Sequence, residues 1–106
     1  MPELTDNHKL LLAIGLGRGE RIGELTDQKI RYSNAILFSE DAEQLYASEE
    51  AGRSALITLR FKGYIDITEF PGKFTVLNAP LECHTRGDAM RAKRHEKEKI
   101  QDISLS

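Results

Sequence analysis

Between Ala35 and Asn78 the spacing of apolar residues switches period, and a local signal marks each switch. Ala35-Ile36-Leu37-Phe38 is an apolar run bounded by polar residues and too short for a helix, which fits a short buried strand. Ser39 follows as a helix cap, with Glu40 and Asp41 in the first turn, where the helix dipole favours negative charge. Ala42, Leu45 and Tyr46 give a two-turn helix one apolar face. Ser48-Glu49-Glu50 repeats the cap-and-acid start. The next helix is expected to run to about Lys62, with Ala51, Ala55, Leu56, Leu59 and Phe61 as candidate buried positions. Gly63 stands where a C-terminal cap glycine belongs. Tyr64 to Phe70 and Lys73 to Leu77 both alternate apolar and polar residues. Between them Pro71-Gly72 supplies a fixed φ and then a positive one, which predicts a β-hairpin. Two short helices and a hairpin can each bury only one face. They are expected to close one core around Ile36, Phe38, Leu45, Leu56, Leu59, Ile65, Ile67, Phe74 and Val76.

The flanks are less sharply patterned. Thr5 or Asp6 can cap a first helix whose stripe is Leu10, Leu11, Ala13 and Ile14. The run Gly15-Leu16-Gly17-Arg18-Gly19 is expected to stop that helix, since each glycine costs about 1 kcal/mol relative to alanine. From Glu20 to Asn34 the anchors are Ile22, Leu25, Ile30 and Tyr32. Thr26-Asp27 reads as the cap of a short helix to about Tyr32, with Ser33-Asn34 as a break. Asp88 to Gln101 lacks Gly and Pro and is rich in Ala, Arg, Lys and Glu, so a further helix is expected there.

The chain has 106 residues, one domain's worth, and 40% of them are hydrophobic, enough for a core. Its net charge of −2 is unevenly spread. Residues 1–82 carry nine Lys/Arg and thirteen Asp/Glu, whereas residues 83–106 carry six and four. The expected organisation is therefore a body over 1–82 and a basic helical tail over 83–106. A single cysteine, Cys83, excludes an internal disulfide. No apolar run approaches the ~18 residues of a membrane helix, and the N-terminus lacks a basic region. A soluble cytoplasmic protein without membrane association is the expectation. Gly15-x-Gly17-x-Gly19 follows a helix rather than a strand, and no Gly-Lys-Ser/Thr follows it, so it does not read as a nucleotide loop. Cys83-His84 with His95 gives adjacent ligands and no fourth, so no metal site is expected. Nothing converges on Cys83 to make it a nucleophile. The expectation is a protein that is not an enzyme, with no catalytic residues and no cofactor.

The order strand, helix, tight turn, helix, glycine, hairpin over Ala35 to Asn78 resembles the winged helix-turn-helix family, as in MarR-like and ArsR-like regulators. The resemblance rests on Ser39 to Ser48, on Leu56 and Leu59, on Lys62-Gly63-Tyr64-Ile65 and on the hairpin at Pro71-Gly72, about 44 of the 106 residues. Leu59 and Gly63 have the spacing that ends the family's recognition helix. Ala42 and Ser48 stand where its small packing residue and second cap belong. The fold so implied is α+β, with the helix-turn-helix at 39–62, the wing at 64–78, an N-terminal helix and a C-terminal helical extension.

The resemblance implies binding of double-stranded DNA, with the second helix in the major groove and the wing on phosphates. Arg53 is the favoured base or phosphate reader, because guanidinium is bidentate to either. Ser54 and Thr58 stand beside it, and Arg60, Lys62 and Lys73 are placed to reach the backbone. Glu49 and Glu50 depart from the pattern, since carboxylates at that helix end repel phosphate. The function implied is a small DNA-binding protein: a dimeric transcriptional regulator, or a replication or partition factor of a plasmid or virus. The alternative is a winged helix used only to bind protein. A homodimer is expected through Leu10, Leu11, Ile14, Met90, Ile100 and Ile103, because the tail helix has too little apolar surface to stand alone.

Overall fold

The computed structural model describes residues 4–26 and 29–105. Helix α1 (Asp6–Arg18) leads into a hairpin of β1 (Glu20–Thr26) and β2 (Lys29–Ser33). Then come β3 (Ile36–Phe38), α2 (Ser39–Tyr46), α3 (Glu49–Phe61), β4 (Ile65–Ile67), β5 (Lys73–Val76) and α4 (Leu81–Leu105). The fold is α+β, with a two-stranded sheet and an antiparallel three-stranded sheet of order β3-β5-β4. In the latter, Leu37 pairs with Phe74 and Ile65 with Val76.

Thr5 caps α1: its hydroxyl accepts from the His8 N–H at 3.1 Å, and the His8 Nδ1 accepts in return from the Thr5 N–H at 3.3 Å. The glycine run stops α1 only at its last member: Gly19 is the C-cap, and the helix continues through Gly15 and Gly17. Both sit at crowded contacts. A Cβ on Gly15 would lie 2.6 Å from Val76 Cγ2, and one on Gly17 would lie 3.1 Å from the Met90 Cβ. Close packing against β5 and α4 offsets the propensity cost.

The short helix expected after Thr26-Asp27 is absent, and β1 pairs with β2 in its place. Asp27 itself lies outside the described residues. Gly23, at φ 142°, sits at a register shift in β1, so the strand bulges where a strict alternation would have been legible.

The core is formed by Leu11, Leu12, Leu16, Leu37, Leu56, Leu59, Ile65, Phe74 and Val76, with Cys83 joining from α4. Two expected core strands depart from the expectation, β3 in phase and β4 in extent. In β3 Leu37 is buried, as is Ala35 just before the strand, while Ile36 is half-buried and Phe38 is exposed, because only alternate side chains of a strand reach α1. In β4, Ile65 is buried but Ile67 is 42% exposed at the outer end of the strand.

Ala42 is fully buried at the crossing of α2 and α3. The partner is Gly52, where a Cβ would stand 2.8 Å from the Ala42 carbonyl carbon.

The final helix starts at Leu81, one residue after Pro80 and well before Asp88, so the 82/83 division of body and tail falls inside it. Lys9 pairs with Glu82 at 2.7 Å, Gly17 meets Met90, and Glu20 lies 4.0 Å from His95, so α4 runs parallel to α1. Cys83 and His84 are buried, and a Cβ on Gly87 would lie 2.9 Å from the Leu16 Cβ. Arg91 donates to the Leu16 carbonyl at 2.6 Å and to that of Gly19, satisfying carbonyls at the α1 terminus.

Of the residues expected at a dimer contact, Leu11 is enclosed in the chain's own core and cannot form one. Leu10 and Ile14 are half-buried, and Met90 packs on α1. The side chains of Ile100 and Ile103 lie outside the described residues.

Candidate nucleic-acid interface

Ser48 caps α3 through its hydroxyl, which accepts from the Ala51 N–H at 3.2 Å. The turn before it is made by Ala47 in the left-handed region, φ 52°. Ser39 does not cap α2. It is the first helical residue; the cap position is Phe38, whose N–H donates to the Asp41 carboxylate at 2.8 Å. Ser39 instead ties helix to hairpin: its N–H donates to the Gly72 carbonyl at 2.9 Å. Arg18 fixes the same corner, forking onto Asp41 with two 2.6 Å bonds and donating to the Ile36 carbonyl at 3.0 Å. Burial pushes the Asp41 carboxyl up, but the Arg18 hydrogen bond, the Phe38 N–H and the Arg18 charge outweigh it and hold the group below its usual range.

With α2 and the hairpin so placed, α3 turns Leu56 and Leu59 inward and leaves Glu50, Arg53, Ser54, Ile57, Arg60 and Phe61 exposed. A concave groove of about 250 Å³ lies between α3 and the sheet. Leu56, Ile57, Ile67 and Phe74 form its apolar floor, and Ser39, Glu43, Glu49, Arg53 and Arg60 line it as well.

The six residues singled out in the sequence separate into distinct places. Arg53 and Arg60 line this groove. Ser54 and Thr58 line an open depression on the other flank of α3, with His8, Tyr46 and Glu50. Lys62 follows the end of α3, and its charge adds to burial in lowering the pKa of His8. Lys73 stands at the hairpin tip, its ammonium 5.9 Å from the Phe70 ring centroid. Ser39, Glu43, Ile67 and Phe74 were not anticipated as lining residues. Only the tertiary approach of hairpin to helix brings them together.

The cations of the groove are matched by acids. Arg53 donates to Glu49 at 2.9 Å, and the Arg60 Nε is 3.7 Å from Asp66. Both members of the first pair are about 70% exposed. An i,i+4 pair of that kind is worth ~0.3–0.5 kcal/mol, so Arg53 can leave Glu49 for a ligand at little cost.

Cys83 and His84 are both buried. The Cys83 thiol is in the core, where burial pushes its pKa up to about 11. His84 stacks on Tyr32, with Nδ1 2.9 Å from the Tyr32 hydroxyl and Nε2 3.1 Å from the Ala79 carbonyl oxygen. Since a carbonyl only accepts, Nε2 carries a proton that it donates to Ala79. Among the described residues no three His, Cys, Asp or Glu side chains cluster as metal ligands, and no helix is long and apolar enough to cross a membrane.

Comparison with known proteins finds no matching family model, no similar curated protein and no similar solved structure.

Proposed function

We propose that the chain is a small winged helix-turn-helix DNA-binding protein, acting as a transcriptional regulator or as a replication or partition factor. The observation that carries this reading is the frame around α3. A strand-helix-turn-helix-hairpin order closes a β3-β5-β4 sheet and leaves the outer face of α3 free beside the hairpin. In such a frame α3 enters the major groove and the hairpin reaches the neighbouring backbone. Arg53, exposed on α3 and paired with Glu49 at the surface, is the base reader, with Ser54 beside it. Arg60 and Lys73 serve the phosphates from the groove wall and the hairpin tip.

The test is a gel shift of the full chain against genomic fragments at two salt concentrations. Arg53→Ala is expected to cost ~1–3 kcal/mol on the preferred sequence and to relax preference. Lys73→Ala is expected to weaken all sequences alike and to lower the salt slope by about one unit. Unchanged binding in both variants removes α3 and the hairpin as the DNA surface.

A second reading, a winged helix that binds protein only, is favoured by one observation. Ile57 and Phe61 are 61% and 92% exposed on the same helix that presents Glu49 and Glu50. Absence of any salt-dependent duplex binding by the intact chain would select it.

The chain is proposed to act as a homodimer, since DNA half-sites mirror a protein two-fold. The α4 residues beyond Glu96 are the segment proposed to pair.

A further inference from the structure

We propose that the tip of the β4–β5 hairpin is a wedge for duplex DNA, with Phe70 inserting between base pairs at a deformable step. This rests on the DNA-binding reading above and adds a mode of recognition to it.

Phe70 is 61% exposed. A single exposed apolar side chain is ordinary on a protein surface. What sets this one apart is how firmly its backbone is held. The Phe70 N–H donates to the Thr68 hydroxyl at 3.3 Å, and the Phe70 carbonyl accepts from the Lys73 N–H at 3.3 Å. Thr68 N–H donates to the Lys73 carbonyl at 2.9 Å, closing the hairpin below the turn. Pro71 fixes one φ, and Gly72 takes φ 77°. The Gly72 carbonyl is bonded in turn to Ser39 at the start of α2. The ring therefore stands on a turn that is already ordered, and little backbone entropy is lost when it enters a stack.

The charge at the tip points the same way. Lys73 lies over one side of the Phe70 ring, while Glu69 is exposed next to it in the chain. One cation and one carboxylate leave the turn near neutral, which suits it poorly to a role resting on phosphate attraction alone. Its distinctive offering is an apolar ring on a narrow turn. Phenylalanine wedges of this kind part a base step and kink the duplex, most easily at pyrimidine–purine steps, which unstack at least cost. Ser39 lines the α3 groove and also bonds the tip, so the wedge adjoins the surface that carries Arg53.

The experiment uses the full chain and short duplexes that differ only in a central TpA or GpC step. Each carries 2-aminopurine beside that step and a dye pair at the ends. The wild type is expected to raise the 2-aminopurine fluorescence, shorten the end-to-end distance and prefer the TpA duplex. Phe70→Ala is expected to lose both signals and about ten-fold in affinity for the TpA duplex, in line with the loss of one base–aromatic stack. Phe70→Trp is expected to keep them. Circular dichroism checks that each variant is folded. Binding by the wild type without unstacking, or a Phe70→Ala variant that matches it in fluorescence, bend and affinity, overturns the wedge and leaves the DNA-binding reading standing. Failure of the wild type to bind any duplex overturns both.

Discussion

At the scale of single residues, Arg18 and Asp41 decide how the helix-turn-helix is set. The pair joins the end of α1 to the start of α2, and Asp41 also accepts from the N–H of Phe38, the α2 cap position. Asp41→Asn is expected to lose ~1.5–3 kcal/mol, the range for hydrogen bonds to charged groups, toward its low end because Arg18 is 36% exposed. The pH dependence has a defined sign. The folded pKa lies below the ordinary 3.8, so the contribution is present above 3.8 and is lost as pH falls through the folded value. Urea titrations of both proteins at acid and neutral pH are expected to converge at the acid end. Neither role is legible in the sequence. Asp41 reads there as a dipole partner and Ser39 as the cap, while the structure shifts the cap by one position and gives Ser39 to the hairpin. A carboxylate that accepts from the cap residue of its own helix and binds a residue 23 positions away has no local signature.

At the scale of elements, glycine is where local and tertiary reasoning part. Helix propensity makes Gly15, Gly17 and Gly87 breakers, so α1 was expected to end early and α4 to begin late. All three lie inside helices at close contacts: a Cβ would stand 2.6 Å from Val76 at Gly15, 2.9 Å from Leu16 at Gly87 and 3.1 Å from Met90 at Gly17. Gly52 follows the same rule where α3 crosses Ala42. Gly52→Ala gains about 1 kcal/mol of helix propensity, but its Cβ meets backbone that cannot move aside. A net loss of ~1–3 kcal/mol is expected, read as a lower urea midpoint with an unchanged m-value. The β1–β2 hairpin illustrates a different limit. Two strands alone are marginal in water. This pair is held by Tyr32, stacked on His84 of α4 and covered by Arg91 at 5.5 Å. Those contacts join residues more than fifty positions apart, and the bulge at Gly23 interrupts the alternation of the strand.

At the scale of the whole molecule, α4 belongs to the body for its first half. A cut at Arg86 would remove Gly87, Met90 and Arg91, and with them the packing of α1, so loss of a dimer after that cut would say nothing about the dimer contact itself. Truncation after Glu96 separates the roles. The shortened chain is expected to keep its thermal midpoint within a few degrees and to elute as a monomer in light scattering, whereas the full chain elutes as a dimer. A full-length monomer at high micromolar concentration removes the proposed pairing.

The sequence by itself determined the order of elements from Ala35 to Asn78, because caps, the Leu59-to-Gly63 spacing and the Pro71-Gly72 turn are local signals that neighbours a few residues away can satisfy. It also placed Leu56 and Leu59 on the buried stripe of α3, whereas Phe61, expected on that stripe, is 92% exposed. Tertiary structure alone decided which glycines are contacts rather than breakers, which side of β3 faces inward, and that Ile67 and Phe74 meet Arg53 and Arg60 across a groove. These depend on distances between segments far apart in the chain, and a residue's own propensity carries no information about what will be packed against it.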